Sequence, residues 1–136
     1  MTIEFEGERV RIGSVLDPNC PSRQLLQHLT SRWGVLVMLV LHDGSKRFGE
    51  LKRAINGISE RMLTQTLKHL EADRMLNRTV IDTAPPHVEY SLTPNGLEAS
   101  RRIRALVSWL EEHTAEIMAE KSAAARQTEE GPQHHR

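Results

Sequence analysis

Four side chains at helical steps, Arg61, Thr64, Gln65 and Lys68, carry the most pointed chemistry in this sequence. They lie opposite Leu63, Leu67 and Leu70, so burying the leucines turns the polar four outward. No apolar residue interrupts that face. Its chemistry suits the major groove of a duplex, where Gln reads adenine, Arg or Lys reads guanine, and Ser or Thr contacts a base or a phosphate. An ordinary solvated helix face has a similar composition, so the surrounding elements must decide between the two readings.

Immediately upstream, Leu51, Ala54 and Ile55 form the apolar side of a second short helical pattern beginning near Phe48. The two patterns meet at Asn56-Gly57-Ile58. Asn-Gly enters the positive-φ conformations of a sharp turn, and Ser59 can accept a backbone N–H as an N-cap. This is a helix-turn-helix. Downstream the periodicity changes: Arg78–Asp82 and Val88–Leu92 are short β-branched and aromatic runs separated by Thr83-Ala84-Pro85-Pro86-His87. A hairpin placed directly after a recognition helix is a wing. Arg78 and His87 are its candidates for DNA contact, and solvated strand-end residues are the alternative.

The remaining elements frame this centre. Residues 1–19 alternate weakly and end in the turn-forming Asp17-Pro18-Asn19, an arm that can hold a short strand. Cys20-Pro21 opens a helix with Leu25, Leu26 and Leu29 as its stripe. The almost wholly apolar run from Trp33 to Leu41 predicts a helix through the middle of the core, closed by Gly44 as a left-handed cap. Thr93-Pro94 starts a last helix, in which Ile103, Leu106, Val107, Leu110, Ile117 and Met118 recur at three- and four-residue steps. That stripe is too long for so small a domain and predicts a partner helix, most simply from a second copy. From Lys121 the composition predicts a disordered tail. The expected divisions are therefore an arm over 1–19, a domain over 20–120 and a tail over 121–136.

Composition bounds the function. With 136 residues there is room for one modest core, and the formal net charge of zero hides a basic middle. Between Lys46 and Arg78 eight Lys or Arg stand against four acidic residues, while the chain beyond Trp109 is mainly acidic. Local charge of this sign attracts phosphate. One cysteine allows neither an intrachain disulfide nor a multi-cysteine zinc site. The Val35–Leu41 run is too short for a membrane span, and the N-terminus lacks the pattern of a signal peptide, so a cytoplasmic location is expected. The seven His are scattered and no glycine-rich phosphate loop is present, so neither enzyme activity nor a cofactor is expected.

The order of residues resembles the HxlR-type winged-helix transcriptional regulators of bacteria. The resemblance is carried by Cys20-Pro21, the Trp33 helix, Arg47-Phe48-Gly49-Glu50-Leu51, Gly57-Ile58-Ser59, Met62-Leu63-Thr64-Gln65, Leu67, Leu70-Glu71, Val88-Glu89-Tyr90-Ser91-Leu92-Thr93, Gly96 and Trp109. It implies a mainly α (α+β) fold: a winged helix-turn-helix with a β-hairpin wing and extra N- and C-terminal dimerisation helices. It further implies a homodimer, held by the first and last helices, that binds an inverted repeat in double-stranded DNA as a repressor or an activator. The candidate DNA-binding set is Lys46, Arg47, Ser59, Arg61, Thr64, Gln65, Lys68, Arg78 and His87. One departure stands out, since Arg74 occupies a position where the family pattern usually has Gly.

Cys20 matches the position of an N-terminal cysteine through which several members respond to oxidants or electrophiles. A helix N-terminus favours thiolate, and Arg23 lies one turn along. A small buried residue at a dimer seam is the alternative. Two other readings of the whole chain stay open. One is a winged helix used for protein–protein interaction. The other is a regulator controlled by a small-molecule effector in a pocket between the Trp33 helix, the last helix and the dimer seam.

Overall fold

The computed structural model describes residues 2–5, 7–11 and 14–130. The chain begins with strands β1 (Thr2–Phe5) and β2 (Glu8–Arg11), an antiparallel pair whose turn holds Gly7 at φ +82°. Helices α1 (Pro21–Leu29) and α2 (Gly34–Leu41) follow, then the two-residue strand β3 (Lys46–Arg47) and helix α3 (Phe48–Ala54). Helix α4 (Glu60–Ala72) leads into strands β4 (Leu76–Ile81) and β5 (His87–Leu92), and α5 (Pro94–Glu130) ends the described chain. β3, β5 and β4 form an antiparallel sheet in that order.

The core explains the arrangement. α2 is apolar on nearly every side, and its Val37, Met38 and Leu41 are buried among Leu51 and Ile55 of α3, Ile58 of the turn, and Leu63, Leu67 and Leu70 of α4. Leu76 and Tyr90 close the core from the sheet. Each large aliphatic side chain so buried contributes about 1.5–3 kcal/mol relative to exposure. The turn between α3 and α4 needs Gly57, which sits at φ +90°.

Contacts divide the chain into two units, Met1–Ile103 and Arg104–Arg136. The first holds everything from β1 through the opening turns of α5. There, Glu98 accepts hydrogen bonds from Arg102 at 2.9 Å and Arg101 at 2.7 Å, and these cations hold its carboxyl below the usual carboxylate range. The second unit is the remainder of α5, where Leu106, Trp109, Leu110 and Met118 are exposed along the helix. Expected disorder from Lys121 gives way to helix through Glu130. Ala and the long straight side chains of this segment cost little entropy in a helix. Residues 131–136, including His134 and His135, lie outside the described residues.

α5 begins against the end of α4. Thr93 Oγ1 accepts from the Gly96 N–H at 2.9 Å as N-cap and donates to the Arg74 carbonyl at 2.7 Å, while the Thr93 N–H donates to the Met75 carbonyl at 3.1 Å. A Cβ on Gly96 would stand 1.8 Å from the Met75 oxygen, so only glycine permits this approach. Arg74 itself adopts φ +62°. It does not prolong α4; it makes a strained end to the helix, in the left-handed conformation that a side chain disfavours. Arg74→Gly is expected to raise unfolding stability by about 1 kcal/mol, read from the urea midpoint. A loss of stability would mean that the arginine side chain makes a compensating contact.

Candidate nucleic-acid interface

α4 starts where Ser59 Oγ accepts the Met62 N–H at 3.1 Å. Its apolar side is buried by Leu63, Leu67 and Leu70, with Thr66 back-bonded to the Met62 carbonyl at 2.7 Å. Arg61, Thr64, Gln65 and Lys68 are all exposed, and with Glu60 they line one shallow cleft. The four residues picked out by their spacing therefore do share a surface. Among the described residues the side chains of Arg61 and Lys68 enter none of the ion pairs.

The other candidates are distributed around this helix. Lys46 and Arg47 sit in β3, paired with Tyr90 and Glu89, and the Arg47 N–H donates to Glu50 Oε1 at 2.8 Å to open α3. The Lys46 ammonium reaches back to the Gly44 carbonyl at 3.4 Å. Arg78 is exposed on β4 opposite Tyr90. His87 begins β5 rather than ending the loop. Its Nε2 lies 3.0 Å from Glu89 Oε2 and its Nδ1 lies 3.4 Å from Thr83 Oγ1, so its ring is tied to the wing on both edges. Cys20 precedes α1 and is only 2% exposed, and Arg23 donates to the Leu16 carbonyl at 3.0 Å.

One feature of the site is absent from the sequence reading. His28 near the end of α1 meets Asp73 after α4, with Nδ1 2.5 Å from the carboxylate, and stacks on His69 of α4 with ring centroids 4.6 Å apart. His28 and Asp73 are 45 positions apart, and no local pattern announces their hydrogen bond. They anchor the outer flank of α4 to α1. Among the described residues no cluster of three or more His, Cys, Asp or Glu could hold a metal ion, and no helix is long and apolar enough to cross a membrane.

A helix-turn-helix with an outward polar face, followed by a two-stranded wing, defines a winged helix-turn-helix DNA-binding transcriptional regulator. Residues 28–118 match the model of the HxlR-like helix-turn-helix family, and the chain belongs to that family. It is 45% identical to the HTH-type transcriptional regulator YtfH of Escherichia coli (strain K12), over 87% of this chain and 94% of that protein. Among solved structures, the transcriptional regulator ytfH from Salmonella typhimurium superimposes with a TM-score of 0.75 at 46% identity, covering 81% of this chain and 98% of that one. The redox regulator HypR in its oxidised form gives a TM-score of 0.63 at 36% identity, covering 68% and 96%.

The geometry assigns Ser59 a structural part at the threshold of the polar face. Ser59→Ala should destabilise the chain by about 1 kcal/mol in chemical denaturation, and Ser59→Asp, which restores an acceptor there, should recover most of the loss.

Proposed function

We propose that the chain acts as a homodimeric repressor that binds an inverted repeat, with α4 entering the major groove of each half-site. The observation that carries this reading is the exposed polar face of Arg61, Thr64, Gln65 and Lys68, which enters no ion pair among the described residues, on a helix whose other side is buried in the core. Gln65 and Arg61 are assigned to base edges, and Thr64 and Lys68 to bases or phosphate. Ser59, Lys46 and Arg47 flank the phosphates, and Arg78 and His87 on the wing face the backbone. Residues 20–120 make the DNA-binding and dimerisation domain, preceded by the arm over 1–19, and the protein works in the cytoplasm without a cofactor. Pairing through the first and last helices is supported by the exposed Leu26 and by the Leu106, Trp109, Leu110 and Met118 stripe, which is apolar surface a second copy would cover.

A response to oxidants or electrophiles through Cys20 is a second element of the proposal, favoured by the structural similarity to HypR. The burial of Cys20 means that its thiol reacts only when the start of α1 opens. With one cysteine per chain, a disulfide would join two subunits or take up a small thiol.

Selection of random duplexes against the purified protein tests the reading. The expected result is an enriched inverted repeat with half-sites about one helical turn apart. Binding should weaken steeply as salt rises, and the absence of enrichment at low salt would favour a protein–protein role instead. On the selected site, Gln65→Ala should cost about 1–3 kcal/mol while leaving random DNA almost unaffected, and equal losses on both would remove Gln65 from base reading. Lys68→Ala should instead lower affinity for all duplexes and reduce the salt slope by about one if its ammonium meets phosphate. A mild electrophile should abolish operator binding by the wild type and spare Cys20→Ser; equal sensitivity of the two would exclude Cys20 as the sensor.

A further inference from the structure

The flank of α4 that faces α1 holds a second cleft, which shares only Gln65 with the residues assigned above to DNA. It encloses about 460 Å³ and is lined chiefly by His28, Arg32, Trp33, Met62, Gln65 and His69. That volume falls within the range of small-molecule sites, about 300–1,000 Å³. Two flat surfaces border it. One is the His28–His69 stack, with rings 4.6 Å apart and inclined by 10°. The other is the Trp33 indole, over which the Arg32 guanidinium lies at 4.5 Å from the ring centroid.

Most of the lining is apolar, and it contains a single permanent cation. Arg32 is exposed and takes part in no ion pair among the described residues. No carboxylate is among the residues that line the cleft, and Asp73, which meets the cleft's His28, is engaged by that imidazole. A DNA phosphate, strongly hydrated and carrying no apolar surface, would leave this carbon lining unused. A flat ring would cover it, and a carboxylate on that ring would meet Arg32 in the two-pronged geometry guanidinium favours.

We propose that this cleft binds a small planar aromatic carboxylate, its ring between Trp33, Met62 and His69 and its carboxylate on Arg32. Gln65 borders both this cleft and the DNA-facing one, so an occupant contacts a side chain assigned above to base reading. Ligand and operator then compete for one amide, and by linkage each weakens the other. This coupling rests on the proposed role of Gln65; binding of the carboxylate does not.

The experiment uses the full chain and 1-naphthoate as probe. The chain has two tryptophans, Trp33 and Trp109, so the indole N–H region of a ¹H–¹⁵N spectrum holds two resonances, assigned with Trp109→Phe. Without DNA, 1-naphthoate should shift the Trp33 resonance saturably, and the neutral 1-naphthamide and the variant Arg32→Ala should each weaken binding by about tenfold or more. Absence of a saturable Trp33 shift at millimolar probe, a shift of Trp109 alone, or equal binding of the amide would overturn the proposal. So would a cleft whose Trp33 resonance responds to random duplex DNA and not to the probe, since that would make it part of the phosphate contact surface. With the operator present, saturating 1-naphthoate should lower DNA affinity in the wild type and not in Arg32→Ala. Unchanged affinity would overturn the coupling. Failure to bind any DNA while the probe still binds would count against the regulatory reading and leave the ligand site standing.

Discussion

Everything that α4 can do follows from the burial of Leu63, Leu67 and Leu70 against α2 and α3. Those three side chains have no freedom to rotate outward, because the core they fill is closed on the other side by Val37, Met38 and Leu41. Interiors packed to crystal-like density transmit such constraints without slack. The rotational setting of α4 is therefore decided by apolar packing, and the direction of Arg61, Thr64, Gln65 and Lys68 is a consequence of it. A polar surface set in this way takes its direction from the core and needs no further ordering of the backbone.

The ends of the helix are held as firmly as its middle. Ser59 caps the start, Gly57 supplies the turn that brings α3 beneath it, and at the far end the chain reverses through Arg74 in a conformation that suits glycine better. That strain persists because its surroundings over-determine it: Thr93 takes the Arg74 carbonyl and the Met75 carbonyl, and the Met75 oxygen occupies the space beside Gly96. On the flank, His28 ties the end of α1 to Asp73. Packing, capping and polar links thus agree on one placement for one helix.

Much of this was legible because it is local. Asn56-Gly57 and Ser59 specify a turn and a cap through residues adjacent in the chain, Thr93-Pro94 specifies a helix start, and the proline-bearing loop between two β-rich runs specifies a wing. What escaped was either short or distant. Two residues, Lys46 and Arg47, carry no strand periodicity, and only their pairing with Tyr90 and Glu89 makes them a strand. The arm alternates too weakly to declare its partner, although β1 and β2 pair in full register. The His28–Asp73–His69 cluster and the cleft beside it join elements far apart in the chain, so no reading by helical or strand period finds them. Helix to Glu130 was missed because solvent-exposed Ala, Glu and Gln look alike whether ordered or not.

The glycine at position 96 turns a joint into a weld. Because the first turn of α5 lies on the carbonyl that follows α4, and Thr93 is bonded into the same reversal, the two helix ends cannot pivot past each other without breaking several hydrogen bonds at once. The junction is in this sense a fixed corner of the molecule, built from one bare α-carbon and one threonine.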